Sequence, residues 1–203
     1  MSNTNTKLIR QIFKELTRMD YVRLEDIPSI DLYMDQVTTF MDQNLSHGKR
    51  YPDDKILTKT MINNYTKNRL LPPPEKKKYS REHLLSLIFI YYFKDFLSIS
   101  DIEEILHPIL DHYFHAEDGD LSLEDVYQEV FSLENEEMSH LIRDVLRKYH
   151  RSEQTFADAP KESQEELQRF SLLCMLGFDV YIKKMIMTHL IDEMKDLEKK
   201  EQE

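Results

Sequence analysis

Glycine is scarce in this chain: Gly48, Gly119 and Gly177 are the only three among 203 residues. A Rossmann or P-loop nucleotide site needs glycine where the backbone approaches phosphate, and tight β-hairpins favour it too. The shortage argues against both a nucleotide-binding α/β fold and a hairpin-rich β fold. Cysteine is scarcer still. Cys174, the only one, excludes an intrachain disulfide framework and a cysteine metal cluster. Long apolar runs are also missing. Leu172 to Ile191 is broken by Asp179, Lys183, Lys184 and His189, and charges at such depths disfavour a membrane span. The opening MSNTNTKLIR offers no apolar stretch of the signal-peptide kind. A cytoplasmic location is the expectation.

What the chain does contain is helical periodicity. Hydrophobic residues make up 40% and charged residues 32%, which suits a soluble all-α protein. Leu8, Ile9, Ile12, Phe13, Leu16 and Met19 recur at helical spacing. Asp31 reads as the N-cap of a second helix, with Tyr33, Met34, Val37, Phe40, Met41 and Leu45 inward. A polar connector from Ser46 to Ile56 follows, and Thr58 then caps a third helix running to about Asn68. Pro72-Pro73-Pro74 must be extended. Ser80 restarts a helix that is apolar almost all round, the pattern of a buried centre. Ser98 with Asp101 caps the next, and Ser122 or Leu123 opens another. The composition turns acidic after Phe114, so the expected division is 1–115 and 116–203. A long final helix runs from about Lys161 to Glu198.

The net charge is −11, yet the stretch from Gly48 to Arg81 holds ten Lys or Arg against three Asp or Glu. Local positive charge of this kind attracts polyanions. On the helix after Thr58 the outward residues are Lys59, Thr60, Asn63, Asn64 and Lys67. Lys59, Asn63 and Lys67 share one stripe at i, i+4, i+8. Asparagine pairs with an adenine edge, while lysine and threonine suit guanine or phosphate. Lys76, Lys77, Lys78 and Arg81 lie beyond the prolines, where they would hold backbone phosphate and set register. The plainer alternative is a solvated helix face and a solvated lysine loop.

The stretch Leu57 to Leu106 resembles the DNA-binding domain of MerR-type regulators. Tyr65 matches that family's buried recognition-helix tyrosine. Leu70 to Pro74 match the Leu-Leu-Pro-Pro element, and Tyr79-Ser80 match the close of the basic wing. Leu97, Ser98, Ile99, Asp101, Ile102, Ile105 and Leu106 match the last helix. The resemblance implies a winged helix-turn-helix on double-stranded DNA, and a long C-terminal helix used to dimerise. The wing lacks an Asn-Gly turn, which leaves Pro72 to Lys78 readable as a stub. Arg69 replaces the usual glycine, so Asn68 is the candidate for a left-handed cap. The connector from Ser46 to Ile56 far exceeds a tight turn of about three or four residues, leaving room for a short extra helix. The whole chain also resembles an uncharacterised bacterial family catalogued as domain of unknown function 1836, in which DLYMDQVTTFMD and LPPP-KKKYSREHL are typical.

Other constellations carry less. His107, Asp111, His112 and His115 have partial zinc-ligand spacing but no partner pair elsewhere. HAEDGDLSLEDV fails as a calcium loop, because Gly119 at position six puts Phe114 where an aspartate belongs. Cys174 sits in SLLCMLGF and reads as core packing. The methionines Met175, Met185, Met187 and Met194 could line a site for a small apolar effector, though they more often fill core gaps. No catalytic constellation stands out, so neither an enzyme nor a cofactor is expected. The sequence thus points to a dimeric DNA-binding transcriptional regulator of all-α architecture, with 1–115 as the MerR-like domain and 116–203 for dimerisation or sensing. The competing reading is a non-enzymatic helical adaptor whose basic face meets an acidic partner.

Overall fold

The computed structural model describes residues 4–16, 21–117 and 119–201. Helices dominate: α1 (Thr4–Leu16), α2 (Met34–Asn44), α3 (Lys59–Lys67), α4 (Arg81–Phe93), α5 (Ile99–Tyr113), α6 (Leu123–Ser132), α7 (Glu134–Ser152) and α8 (Lys161–Glu201). Strands β1 (Leu32–Tyr33) and β2 (Lys78–Tyr79) form one small antiparallel ladder. Among the described residues, no helix is long and apolar enough to cross a membrane.

The chain divides into two compact units. Unit I comprises 1–20 and 132–187, and unit II comprises 21–131 and 188–203. The compositional break after Phe114 therefore falls inside unit II. The reason lies on α6, whose Leu123, Tyr127 and Phe131 are buried. The Tyr127 hydroxyl donates to the Val22 carbonyl at 2.6 Å. Unit I gathers Ile9, Tyr149 and Leu172 into a small core, with Phe13 and Leu176 against it.

Unit II is built around α4. Every residue from His83 to Ile90 is buried, because the helix is apolar on all sides. Its one buried hydroxyl, Ser86, donates to the Glu82 carbonyl at 2.8 Å. Helix α5 packs against α4, and Ile102, Leu106 and Leu110 of α5, Val37, Phe40 and Met41 of α2, and Ile62 and Tyr65 of α3 are buried as well. Helix α5 opens as the sequence predicts: Ser98 Oγ accepts from the Asp101 backbone N–H at 3.1 Å.

Helix α2 starts later than expected. Asp31 does not cap it, because Leu32 and Tyr33 are drawn into the ladder with β2. Tyr33 is the N-cap, and its backbone N–H donates to Gln36 Oε1 at 2.8 Å.

The long connector between α2 and α3 is braced rather than loose. A 3-10 turn from Ser46 to Gly48 continues from α2. Lys49 pairs with Asp42 at 2.8 Å, which holds the Asp42 carboxyl below its ordinary range. Asp54 Oδ2 accepts the Arg50 and Tyr51 backbone N–H groups at 3.1 and 2.9 Å. Ile56 and Leu57 are buried beneath. Gly48 lies against the tip of a side chain: a Cβ there would stand 1.7 Å from Tyr91 Oη and 3.0 Å from its Cζ, so Tyr91 would have to shift. Overpacking of this kind costs roughly 1–3 kcal/mol. Gly48→Ala is expected to lower the urea-unfolding free energy by about 2 kcal/mol. In a Tyr91→Phe background the loss should shrink to about half, because the hydroxyl is the closest atom. Equal losses in both backgrounds would contradict this.

Candidate nucleic-acid interface

Helix α3 is short and well terminated at both ends. Thr58 Oγ1 accepts from the Met61 backbone N–H at 3.2 Å, as a threonine N-cap should. Ile62 and Tyr65 face the core, and burial pushes the Tyr65 phenol up from its ordinary range. The residues expected to face outward do so: Lys59, Thr60, Asn63, Asn64 and Lys67 are all exposed. Among the described residues, Lys59 is ion-paired with Asp35 in the first turn of α2. An exposed pair of this kind contributes little stability, so the lysine remains available to a stronger anion.

The C-terminus of α3 corrects one expectation. The left-handed residue is Arg69, with φ of 60°, whereas Asn68 is at −91°. The Leu70 N–H bonds the Tyr65 carbonyl at 2.9 Å and the Arg69 N–H bonds that of Thr66 at 3.2 Å. These are the two bonds of a Schellman cap. Two interlocking bonds plus the burial of Leu70 offset the cost of about 1 kcal/mol for a non-glycine residue in this region. The geometry leaves Arg69 exposed at the helix end, a further cation beside the outward face of α3.

The segment after the prolines is a hairpin and not a stub. Lys78 N donates to the Glu75 carbonyl at 2.8 Å, closing a two-residue turn. Its central residues Lys76 and Lys77 have φ of 50° and 65°. Positive φ at both positions is the requirement of a type I′ turn. The returning arm then pairs with β1, Leu32 opposite Tyr79 and Tyr33 opposite Lys78. That second ladder fixes the hairpin without an Asn-Gly signal. Lys76 and Lys77 are exposed at the tip. Lys78 is half-buried, and its ammonium lies 5.6 Å from the Tyr33 ring centroid.

Arg81 sits apart from these lysines in kind. Its guanidinium donates to the Leu24 carbonyl at 2.8 Å and to that of Ile27 at 3.1 Å. Its Nε is 2.8 Å from Glu124 Oε1. A side chain occupied on three sides is a structural brace, so its expected phosphate role is withdrawn. Residue type alone does not reveal this role, because the partners lie far away along the chain.

The remaining candidates stay dispersed. His107 pairs with Asp111 at 2.8 Å on the surface of α5, and His112 Nδ1 lies 2.8 Å from the Pro108 carbonyl oxygen. Among the described residues, no group of three or more His, Cys, Asp or Glu side chains converges as metal ligands would. Cys174, expected in a core, is exposed on α8. Phe170, Leu173, Phe178, Tyr181, Ile186 and Leu190 are exposed along the same helix.

A family model described as a domain of unknown function, DUF1836, matches residues 22–130. No curated protein and no solved structure matches the chain.

Proposed function

The chain belongs to the DUF1836 family, a domain of unknown function, and we propose that it is a sequence-specific, DNA-binding transcriptional regulator with a MerR-like winged helix-turn-helix. One observation carries this reading. A capped helix exposes Lys59, Thr60, Asn63, Asn64 and Lys67, and is followed directly by a hairpin whose tip is Lys76-Lys77. The helix supplies groups that read base edges in a major groove. The hairpin supplies two charges for backbone phosphate, as a wing does. The β1–β2 ladder ties that wing back to the start of α2, and α2 and α3 serve as the helix pair despite the long connector. Arg69 joins the candidate phosphate contacts in place of Arg81. The exposed apolar residues of α8 support self-association with a second copy, which suits a pseudo-palindromic site.

Fluorescence anisotropy on random duplex DNA over a salt series tests the reading. Wild type should lose affinity steeply with salt, and binding should saturate at two chains per site. The Lys76→Ala, Lys77→Ala double variant should flatten the log–log salt slope by about two. No binding at low salt would overturn the proposal in favour of a helical adaptor that meets an acidic protein through the same face.

A further inference from the structure

Helix α8 turns only part of its circumference toward its own unit. Leu172 is buried, Leu176 packs on the same small core, and Asp179 pairs with Lys148 of α7. These residues recur at i, i+4, i+7 and mark the inner face. Among the described residues, the core of unit I holds three buried apolar side chains, Ile9, Tyr149 and Leu172. On other sides of the helix, Phe170, Leu173, Phe178, Val180 and Tyr181 are each 61–69% exposed. Side chains of this size leave on the order of 100 Å² open apiece. With the stems of neighbouring charges they approach the roughly 800 Å² that each partner buries in a standard interface.

The pattern of this face says what covers it. Glu166, Phe170, Leu173, Gly177, Val180 and Lys184 are all exposed and lie on one stripe, at alternating spacings of four and three. A two-fold axis crossing the helix at Met175 exchanges Glu166 with Lys184, Phe170 with Val180, and Leu173 with Gly177. Opposite charges then meet at both ends of the contact, and each leucine lies over a glycine. Gly177 has no other reason to be glycine. It weakens a helix interior relative to alanine, yet a Cβ there would meet nothing within 4 Å in its own chain. Parallel pairing would instead set Glu166 on Glu166, Lys184 on Lys184 and glycine on glycine. Like charges would repel and the glycine layer would be left underpacked, so the antiparallel arrangement wins.

We propose that a second copy of this chain covers the stripe, antiparallel and isologous about Met175, with Glu166 against the partner's Lys184 and Leu173 against the partner's Gly177. Such an interface is self-complementary, since every contact occurs twice. The pairing rests on the self-association proposed above, gives it a face and a direction, and needs no DNA.

Sedimentation equilibrium of the full chain without DNA measures it, and the chain should be dimeric at micromolar concentration. Glu166→Lys and Lys184→Glu each bring like charges together at both ends of the contact. Each should raise the dimer Kd about tenfold, or about 1.4 kcal/mol. Combined, they should return Kd to within about threefold of wild type, because opposite charges face each other again. In a parallel dimer neither single variant would change Kd, since its like-charge contacts would only change sign. Gly177→Leu should also raise Kd at least about tenfold, with helicity by circular dichroism unchanged. A monomer throughout the micromolar range, or single charge variants that pair as well as wild type, would overturn the proposal. Duplex binding is read separately. A dimer that ignores DNA would refute the regulator and keep the pairing, whereas a DNA-binding monomer would do the reverse.

Discussion

Alanine at Tyr127 is expected to destabilise unit II by about 4 kcal/mol, within the range for removing a large buried aromatic. The side chain is fully buried. Its ring is 4.3 Å from Phe131 and 5.6 Å from Phe89, centroid to centroid. Its hydroxyl ties α6 to Val22, at the opposite end of the unit's main segment. Two losses add: the packing of the ring, and the bond to a carbonyl left without its donor. Tyr127→Phe separates them, since it keeps the ring and should cost about 1–2 kcal/mol. Urea unfolding followed by circular dichroism measures both. A Tyr127→Ala cost below about 1.5 kcal/mol would mean that α6 does not belong to this core.

Arg81→Ala should cost about 2–3 kcal/mol, because it removes two hydrogen bonds from a charged donor together with a partly buried ion pair. The Ile27 carbonyl loses its donor, the Leu24 carbonyl keeps only the Ile27 N–H, and Glu124 loses its cation. Arg81→Lys should recover little, because one ammonium cannot span both carbonyls and the carboxylate as a planar fork does. The contrast with the hairpin tip is the test of role. Lys76→Ala with Lys77→Ala should leave stability within about 0.5 kcal/mol, as exposed positions usually do, while changing the salt slope. Arg81→Ala should do the reverse once affinity is corrected for the folded fraction. A salt slope flattened by about one at unchanged stability would return Arg81 to the phosphate contacts.

Much of the helical frame could be read from residue types. Thr58 and Ser98 are caps because a side-chain oxygen before an apolar-periodic run leaves a local signature, and α4 is central because it has no polar face. The outward residues of α3 followed from periodicity alone. Long-range partnerships were not legible. Leu32-Tyr33 is too short to register as a strand, and its partner β2 lies beyond two helices. The hairpin was missed for the same reason, since its turn residues carry no glycine or asparagine and the stabilising ladder is remote. Arg81 looked like one more cation in a basic run until Leu24, Ile27 and Glu124 gathered around it. Cys174 lies in an apolar run of sequence, yet α8 leaves it exposed.

The turn at Lys76-Lys77 sets folding and charge against each other. Asn-Gly is the pair a type I′ turn favours, and lysine in the left-handed region costs about 1 kcal/mol per residue. Drift toward the better turn would remove both exposed charges from the tip. A homologue with Asn-Gly here would fold at least as well and display an uncharged loop, so selection for stability alone would erase the lysines. Their presence ties what these two positions contribute to charge, and a consensus design that optimised the turn would discard it first.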